Sequence, residues 1–177
     1  MANKQVVFVI ASKDYQPIEY QIPKHLIEQA GFSVLTASDK LGTAVATDGS
    51  AASVELLIDA FDPTDYNAII FVGGSGCLEH LDNKKSYAVL KRAFEAKIVI
   101  GGICIATRIL AKSEILKNKK ATGWNEDREL EDIYKEYGIH YKPNDVVVDG
   151  TIITAVGPAA AREFAENVIS LLTEKQQ

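Results

Sequence analysis

Cysteine is scarce in this chain, with only Cys77 and Cys104 among 177 residues. Two widely separated thiols do not make a disulfide framework, so the fold must be held by its apolar core. Histidine is nearly as rare, at His25, His80 and His140, and no cluster of histidine, cysteine and carboxylate has metal-ligand spacing. No metal or other cofactor is therefore expected. No complete glycine-rich phosphate loop is present either: Gly73-Gly74-Ser75-Gly76 lacks the remaining positions of the dinucleotide and P-loop patterns, which argues against a nucleotide site. No apolar run is long enough to span a bilayer, and residues 1–4 lead into a strand-like segment without a signal-peptide core. The expected location is the cytoplasm, with no membrane partner. Positive charge is in deficit, since 19 Lys and Arg face 24 Asp and Glu for a net charge of −5. That balance gives no footprint for nucleic acid, and Lys117-Asn118-Lys119-Lys120 reads as a solvated turn. A small-molecule or protein substrate remains.

What the chain does have is apolar sequence in the right rhythm. At 47% hydrophobic residues, a chain of this length buries roughly 70% of its unfolded surface and folds as one domain over residues 1–177. Residues 5–11, 33–37, 68–72 and 97–100 are apolar runs that read as strands. Residues 18–30 and 86–96 have helical spacing, with Gly31 as a C-cap and Pro23 marking a true helix start or a kink. The strands are apolar on both sides, which predicts a doubly wound, mostly parallel α/β sheet with helices on both faces. Residues 43–46 and 54–58, about Asp48-Gly49, predict a small hairpin extension. Residues 126–137 predict a helix, 145–148 and 151–155 strands about Asp149-Gly150, and 159–172 the closing helix.

In such a sheet, sites form just beyond the carboxyl ends of strands. Asp14 and Glu19 follow the first strand, Gly73-Gly74 the third, Cys104 the fourth, and Gly157-Pro158 lie near the end of the chain. Cys104 has the strongest setting. In Gly102-Ile103-Cys104-Ile105-Ala106 it stands between a strand and a helical stretch, with small residues two positions away on either side, the spacing of a nucleophile elbow. Amides at a helix N-terminus would favour its thiolate and lower its pKa. Against this stands the usual fate of a free cysteine, a small buried hydrophobe, which is the favoured reading for Cys77. Gly73 and Gly74 could offer backbone N–H groups to an oxyanion.

With Glu19, Gly73-Gly74 and the Cys104 elbow in this order, nearly the whole chain resembles the ThiJ/PfpI superfamily. Further matching segments are Ile18-Glu19-Tyr20-Gln21-Ile22-Pro23, Tyr66 through Gly74, Leu116 through Thr122 and Val147 through Pro158. The resemblance implies a flavodoxin-like fold, usually a homodimer, with Cys104 as nucleophile, Glu19 as the carboxyl at its sulfur, and the Gly74 region with the amide of Ile105 as an oxyanion hole. Two departures matter. The PfpI protease branch has histidine directly after the cysteine, where this chain has Ile105. The branch of the parkinsonism-associated deglycase, which this chain resembles more, supplies a histidine from a later segment, where the alignment places Trp124. His25, His80 and His140 match no catalytic position and read as surface or packing residues. The class I glutamine amidotransferases share the elbow, but His140 lacks their His-x-Glu pattern.

Proton transfer then falls to Glu19, which can serve if burial raises its pKa toward neutrality. Asp14, Trp124, Gly157 and Pro158 are expected to line the pocket. Two functions follow: a cysteine-dependent enzyme acting on small electrophilic carbonyls in glyoxalase or deglycase fashion, or a non-catalytic oxidative-stress sensor or chaperone-like protein whose Cys104 is oxidised to sulfinate. An intracellular cysteine peptidase is disfavoured by Ile105.

Overall fold

The first apolar run forms strand β1 (Gln5–Val9), and its alternate side chains enter two separate cores. Val7 and Val9 join one, while Val6, Phe8 and the following Ile10 join the other. This is why the run is apolar throughout rather than alternating. The computed structural model describes residues 4–175. After β1 come β2 (Lys13–Tyr15), helix α1 (Pro17–Gln29), β3 (Ser33–Ser38), β4 (Gly42–Ala46), β5 (Ala51–Val54) and β6 (Leu56–Leu57). The middle of the chain holds β7 (Ala68–Phe71), α2 (Cys77–Leu81), α3 (Lys84–Glu95), β8 (Val99–Ile103) and α4 (Thr107–Lys112). Then follow β9 (Lys120–Ala121), α5 (Leu130–Glu136), β10 (His140–Tyr141), β11 (Val146–Asp149), β12 (Ile152–Ala155) and α6 (Ala161–Glu174).

The central sheet has seven strands in the order β11-β12-β8-β7-β1-β3-β6. Every neighbouring pair is parallel except β11 with β12. Helices α1 and α6 pack together on one face, and α3 and α4 on the other. This is the flavodoxin-like, doubly wound α/β arrangement the sequence predicts. The chain winds outward from β1 through β3 and β6, then returns to β7 and winds the other way, so the switch point lies between β1 and β7. No helix among the described residues is long and apolar enough to cross a membrane.

Four local expectations need correction. Strand β8 starts later than the run 97–100 and continues through Gly101 and Gly102, beyond the apolar run. They are glycines because both faces are crowded: a Cβ at Gly101 would lie 2.7 Å from Cζ of Phe164 on α6, and one at Gly102 2.7 Å from Cδ2 of Leu110 on α4. The segment 54–58 is not one strand. Its first part closes the β4–β5 hairpin, whereas Leu56 and Leu57 pair with β3, and between them the Glu55 carboxylate accepts from the Thr36 amide at 2.8 Å. Helix α5 begins later than residue 126, because Arg128 has φ +63° and the Asp127 side chain accepts from the Glu129 amide. Pro23 lies inside α1 rather than at its start. The helix begins at Pro17, where the Gln16 side chain accepts from the Ile18 amide at 3.1 Å.

Candidate active site

Cys104 sits where β8 ends, and the chain turns there so sharply that it holds φ at +63°, a left-handed conformation rare for a residue with a side chain. One 3-10 turn over Cys104–Ala106 then leads into α4. The Thr107 hydroxyl donates to the Cys104 carbonyl at 2.9 Å and fixes that turn. The Ile105 and Gly74 amides and the Glu19 carboxyl all lie close enough to the Cys104 sulfur to act on its charge.

Glu19 comes from the first turn of α1 and is fully buried. Its Oε2 accepts from the Gly73 amide at 2.9 Å, while Oε1 is buried without any N–H donor. Gly73 is the spacer: a Cβ there would lie 2.7 Å from the Cys104 Cβ and 2.8 Å from Glu19 Oε2. Gly74, at φ +122°, lies against the backbone of residues 14–16, where a Cβ would come within 2.5 Å of the Asp14 carbonyl. The elbow, the first turn of α1 and the Gly73-Gly74 turn thus meet at one point.

Burial sets the electrostatics. Desolvation raises the Glu19 pKa from 4.5 to about 7, against the opposing bonds from Cys104 and Gly73. The Cys104 thiol is also pushed up, first by burial and then by the Glu19 charge, with the Ile105 and Gly74 amides pulling the other way. The sequence-based expectation of a lowered thiol pKa is therefore corrected, because two amides do not outweigh burial beside a carboxylate. The two groups titrate as a pair that gains its first negative charge around neutrality. Gly73 N–H favours that charge on the carboxylate; the Gly74 and Ile105 amides favour it on sulfur.

A cleft of about 670 Å³ opens onto the pair. Glu19, Gly74, Cys104, Ile105, Trp124, Gly157 and Pro158 line it. Two expected residues stand elsewhere. The Gly73 amide is engaged by Glu19 rather than offered to a ligand. Asp14 does not line the cleft; it supports it through its backbone, at φ +58°, with its carbonyl accepting from the Gly76 amide at 3.0 Å. Sequence reasoning missed Gln16, Ser75, Asn125, Glu126, Tyr141 and Val156, which also line it. The neighbours of Glu19, Gly74 and Trp124 could have been inferred from adjacency. Tyr141 could not, because it arrives through the short parallel pairing of β10 with β9.

None of the three histidines lines the cleft. His25 and His140 are exposed, and His80 Nδ1 lies 3.1 Å from Asp39 Oδ2. Cys77 is fully buried, with its thiol pKa raised by burial. Among the described residues no group of three or more histidine, cysteine or acidic side chains is placed to hold a metal ion.

The sequence profile of the DJ-1/PfpI family matches residues 4–171. An uncharacterized protein of Methanocaldococcus jannaschii is 35% identical over all of this chain and 86% of its own length. A deglycase of Thermococcus kodakarensis is 26% identical over 94% of this chain and 98% of its own. Among solved structures, a ThiJ/PfpI domain protein from Brachyspira murdochii superposes with a TM-score of 0.92 at 27% identity, covering 98% of this chain and 99% of that one.

Proposed function

The chain belongs to the DJ-1/PfpI family, and from that premise we propose that it is a cysteine-dependent, deglycase-like or glyoxalase-like enzyme acting on small electrophilic carbonyls. Cys104 is the nucleophile and Glu19 the acid and base. The observation that carries this reading is the Cys104 sulfur held between a near-neutral carboxyl and two backbone amides at the floor of an open cleft.

The chemistry follows from the pair. Ionised Glu19 takes the thiol proton as sulfur adds to the aldehyde carbon of an α-oxoaldehyde, and the carbonyl electrons move to oxygen. The Gly74 and Ile105 amides face that developing oxyanion, and protonated Glu19 then neutralises it. Glu19 next removes the proton from the former aldehyde carbon, and a proton is returned to the neighbouring carbon, giving a thioester of a 2-hydroxy acid. Water releases the acid and regenerates the thiol. The net reaction consumes one water, oxidising one carbon and reducing its neighbour, so no outside oxidant is needed. Methylglyoxal would give lactate, and replacing Cys104 by serine should abolish its formation.

The amides and carboxyl around sulfur also support a second reading, in which hydrogen peroxide converts Cys104 to a sulfinate held by Gly74, Ile105 and Glu19. Mass spectrometry of peroxide-treated protein tests it: Glu19→Gln keeps a hydrogen-bond donor and should still yield the sulfinate, whereas further oxidation to sulfonate would count against it. A peptidase is the least supported reading, with Ile105 after the cysteine and no histidine in the cleft. We also propose a cytoplasmic homodimer. The exposed apolar side chains Ile18 and Ile22 on α1 support the pairing.

A further inference from the structure

The cleft is built for more than a three-carbon aldehyde. Its volume of about 670 Å³ lies in the roughly 300–1,000 Å³ range of sites that enclose drug-sized ligands. Its walls are the apolar faces of Ile105, Trp124, Tyr141, Val156 and Pro158. Among the described residues lining it, the charged ones are Glu19 and Glu126, and none is lysine, arginine or histidine. A carboxylate or phosphate on the substrate would therefore meet negative charge without a counter-ion. The Arg108 guanidinium, beside the lining residue Trp124, is already engaged: Nη2 lies 2.7 Å from both carboxylate oxygens of Asp127, and Nη1 lies 3.4 Å from Glu129 Oε2.

Arg108 has a second contact, with its guanidinium over the Trp124 ring at 5.4 Å from the centroid. Its side chain is 6% exposed, so the guanidinium backs the indole as a fixed plate. The Trp124 amide donates to the Cys104 carbonyl at 3.4 Å, which ties this wall to the nucleophile's own backbone. An aromatic plate registered against the reactive sulfur, with no cation in the lining, is a selectivity device. We infer that the cleft selects α-oxoaldehydes carrying a bulky, uncharged, aromatic substituent, with Trp124 as the specificity-determining wall and Arg108 as the residue that positions it. This rests on the carbonyl chemistry proposed above, which for phenylglyoxal consumes one water and yields mandelate. The product is then an anion in an acidic cleft, and its release is favoured.

Trp124 is the single tryptophan of the chain, so its fluorescence reports the cleft directly. The first arm titrates the Cys104→Ser protein with 2-hydroxyacetophenone, which is neutral, and with mandelate, which carries a similar ring with a carboxylate. The neutral compound should bind at least roughly ten-fold more tightly; equal or tighter mandelate binding overturns the inference. The second arm measures kcat/KM for phenylglyoxal and methylglyoxal. The ratio should favour phenylglyoxal, fall roughly ten-fold or more in Trp124→Ala, and be largely restored in Trp124→Phe; an unchanged ratio in the alanine variant overturns it. Arg108→Met should raise KM for phenylglyoxal more than it lowers kcat and should open Trp124 to iodide quenching, whereas unchanged quenching removes Arg108 from the device. Failure of the two readings is distinguishable. Neutral-ligand preference without turnover of any oxoaldehyde defeats the reaction and leaves the selectivity standing, while turnover without that preference does the reverse.

Discussion

Glu19 is a carboxyl whose neutral form the fold favours, because its position at 0% exposure removes water that would solvate the charge. Its pKa in the folded chain is about 7 against an ordinary 4.5. A raised pKa means that the stability tied to this group is complete below the ordinary value and is lost as pH rises through about 7. The size of that loss is about 3 kcal/mol. Glu19→Gln should therefore gain stability relative to the parent between about pH 5 and pH 8, as read by urea denaturation at both values. Parallel pH dependences of the two proteins would show that burial does not raise this carboxyl. The two thiols give a second residue-level expectation. Cys104 is half-buried at the cleft floor, whereas Cys77 is fully enclosed. Iodoacetamide should label Cys104 roughly 100-fold faster or more in the native protein, with a rate that climbs as the pair loses its proton. Equal rates, quantified by peptide mass spectrometry, would place the reactive thiol elsewhere.

At the level of the element, β8 delivers Cys104, the proposed nucleophile, and its two glycines let helices close on the strand from both faces. A Cβ at Gly101 would meet the Phe164 ring, which is itself fully buried and has little room to retreat. Gly101→Ala should cost about 1–3 kcal/mol in denaturant unfolding; an unchanged midpoint would mean that α6 shifts freely. The same glycines explain why the sequence was only partly legible here. The run 97–100 reveals a strand by its apolar side chains, but Gly101 and Gly102 carry the strand onward without any, and their reason lies in distant residues on α6 and α4. Strands 5–11, 33–37 and 68–72 were legible because each is apolar on both faces, the mark of a covered parallel sheet. The helix at 126–137 was overextended because the turn at Asp127 and Arg128 is a local side-chain effect that a helical pattern does not display. At the site, the elbow spacing and the Glu19 segment can be read in the chain, whereas Asp14 was misplaced. Its position after the first strand predicts a place in the pocket lining, but the cleft uses only its backbone.

Across the whole molecule, the sheet brings the segments that follow β1, β7, β8 and β12 together around one sulfur near the switch point between β1 and β7. Such convergence makes the site depend on the intact sheet rather than on any one loop. Ile18 is 44% exposed and Ile22 37% exposed on the outer side of α1, the helix that also carries Glu19. Light scattering at micromolar concentration should give twice the mass of the chain, and charged substitutions at both positions should give the monomer. A monomeric parent protein would remove the pairing. The most direct test of the Cys104–Glu19 pair as a carbonyl-processing unit is lactate formation from methylglyoxal by the parent, Cys104→Ser, Glu19→Gln and Glu19→Asp proteins. The pair predicts turnover by the parent, none by the serine variant, a loss of roughly 100-fold or more in Glu19→Gln, and weak residual activity in Glu19→Asp, which keeps a titratable group one methylene short. Lactate formed at the parental rate by Glu19→Gln, or none formed by the parent, would contradict it.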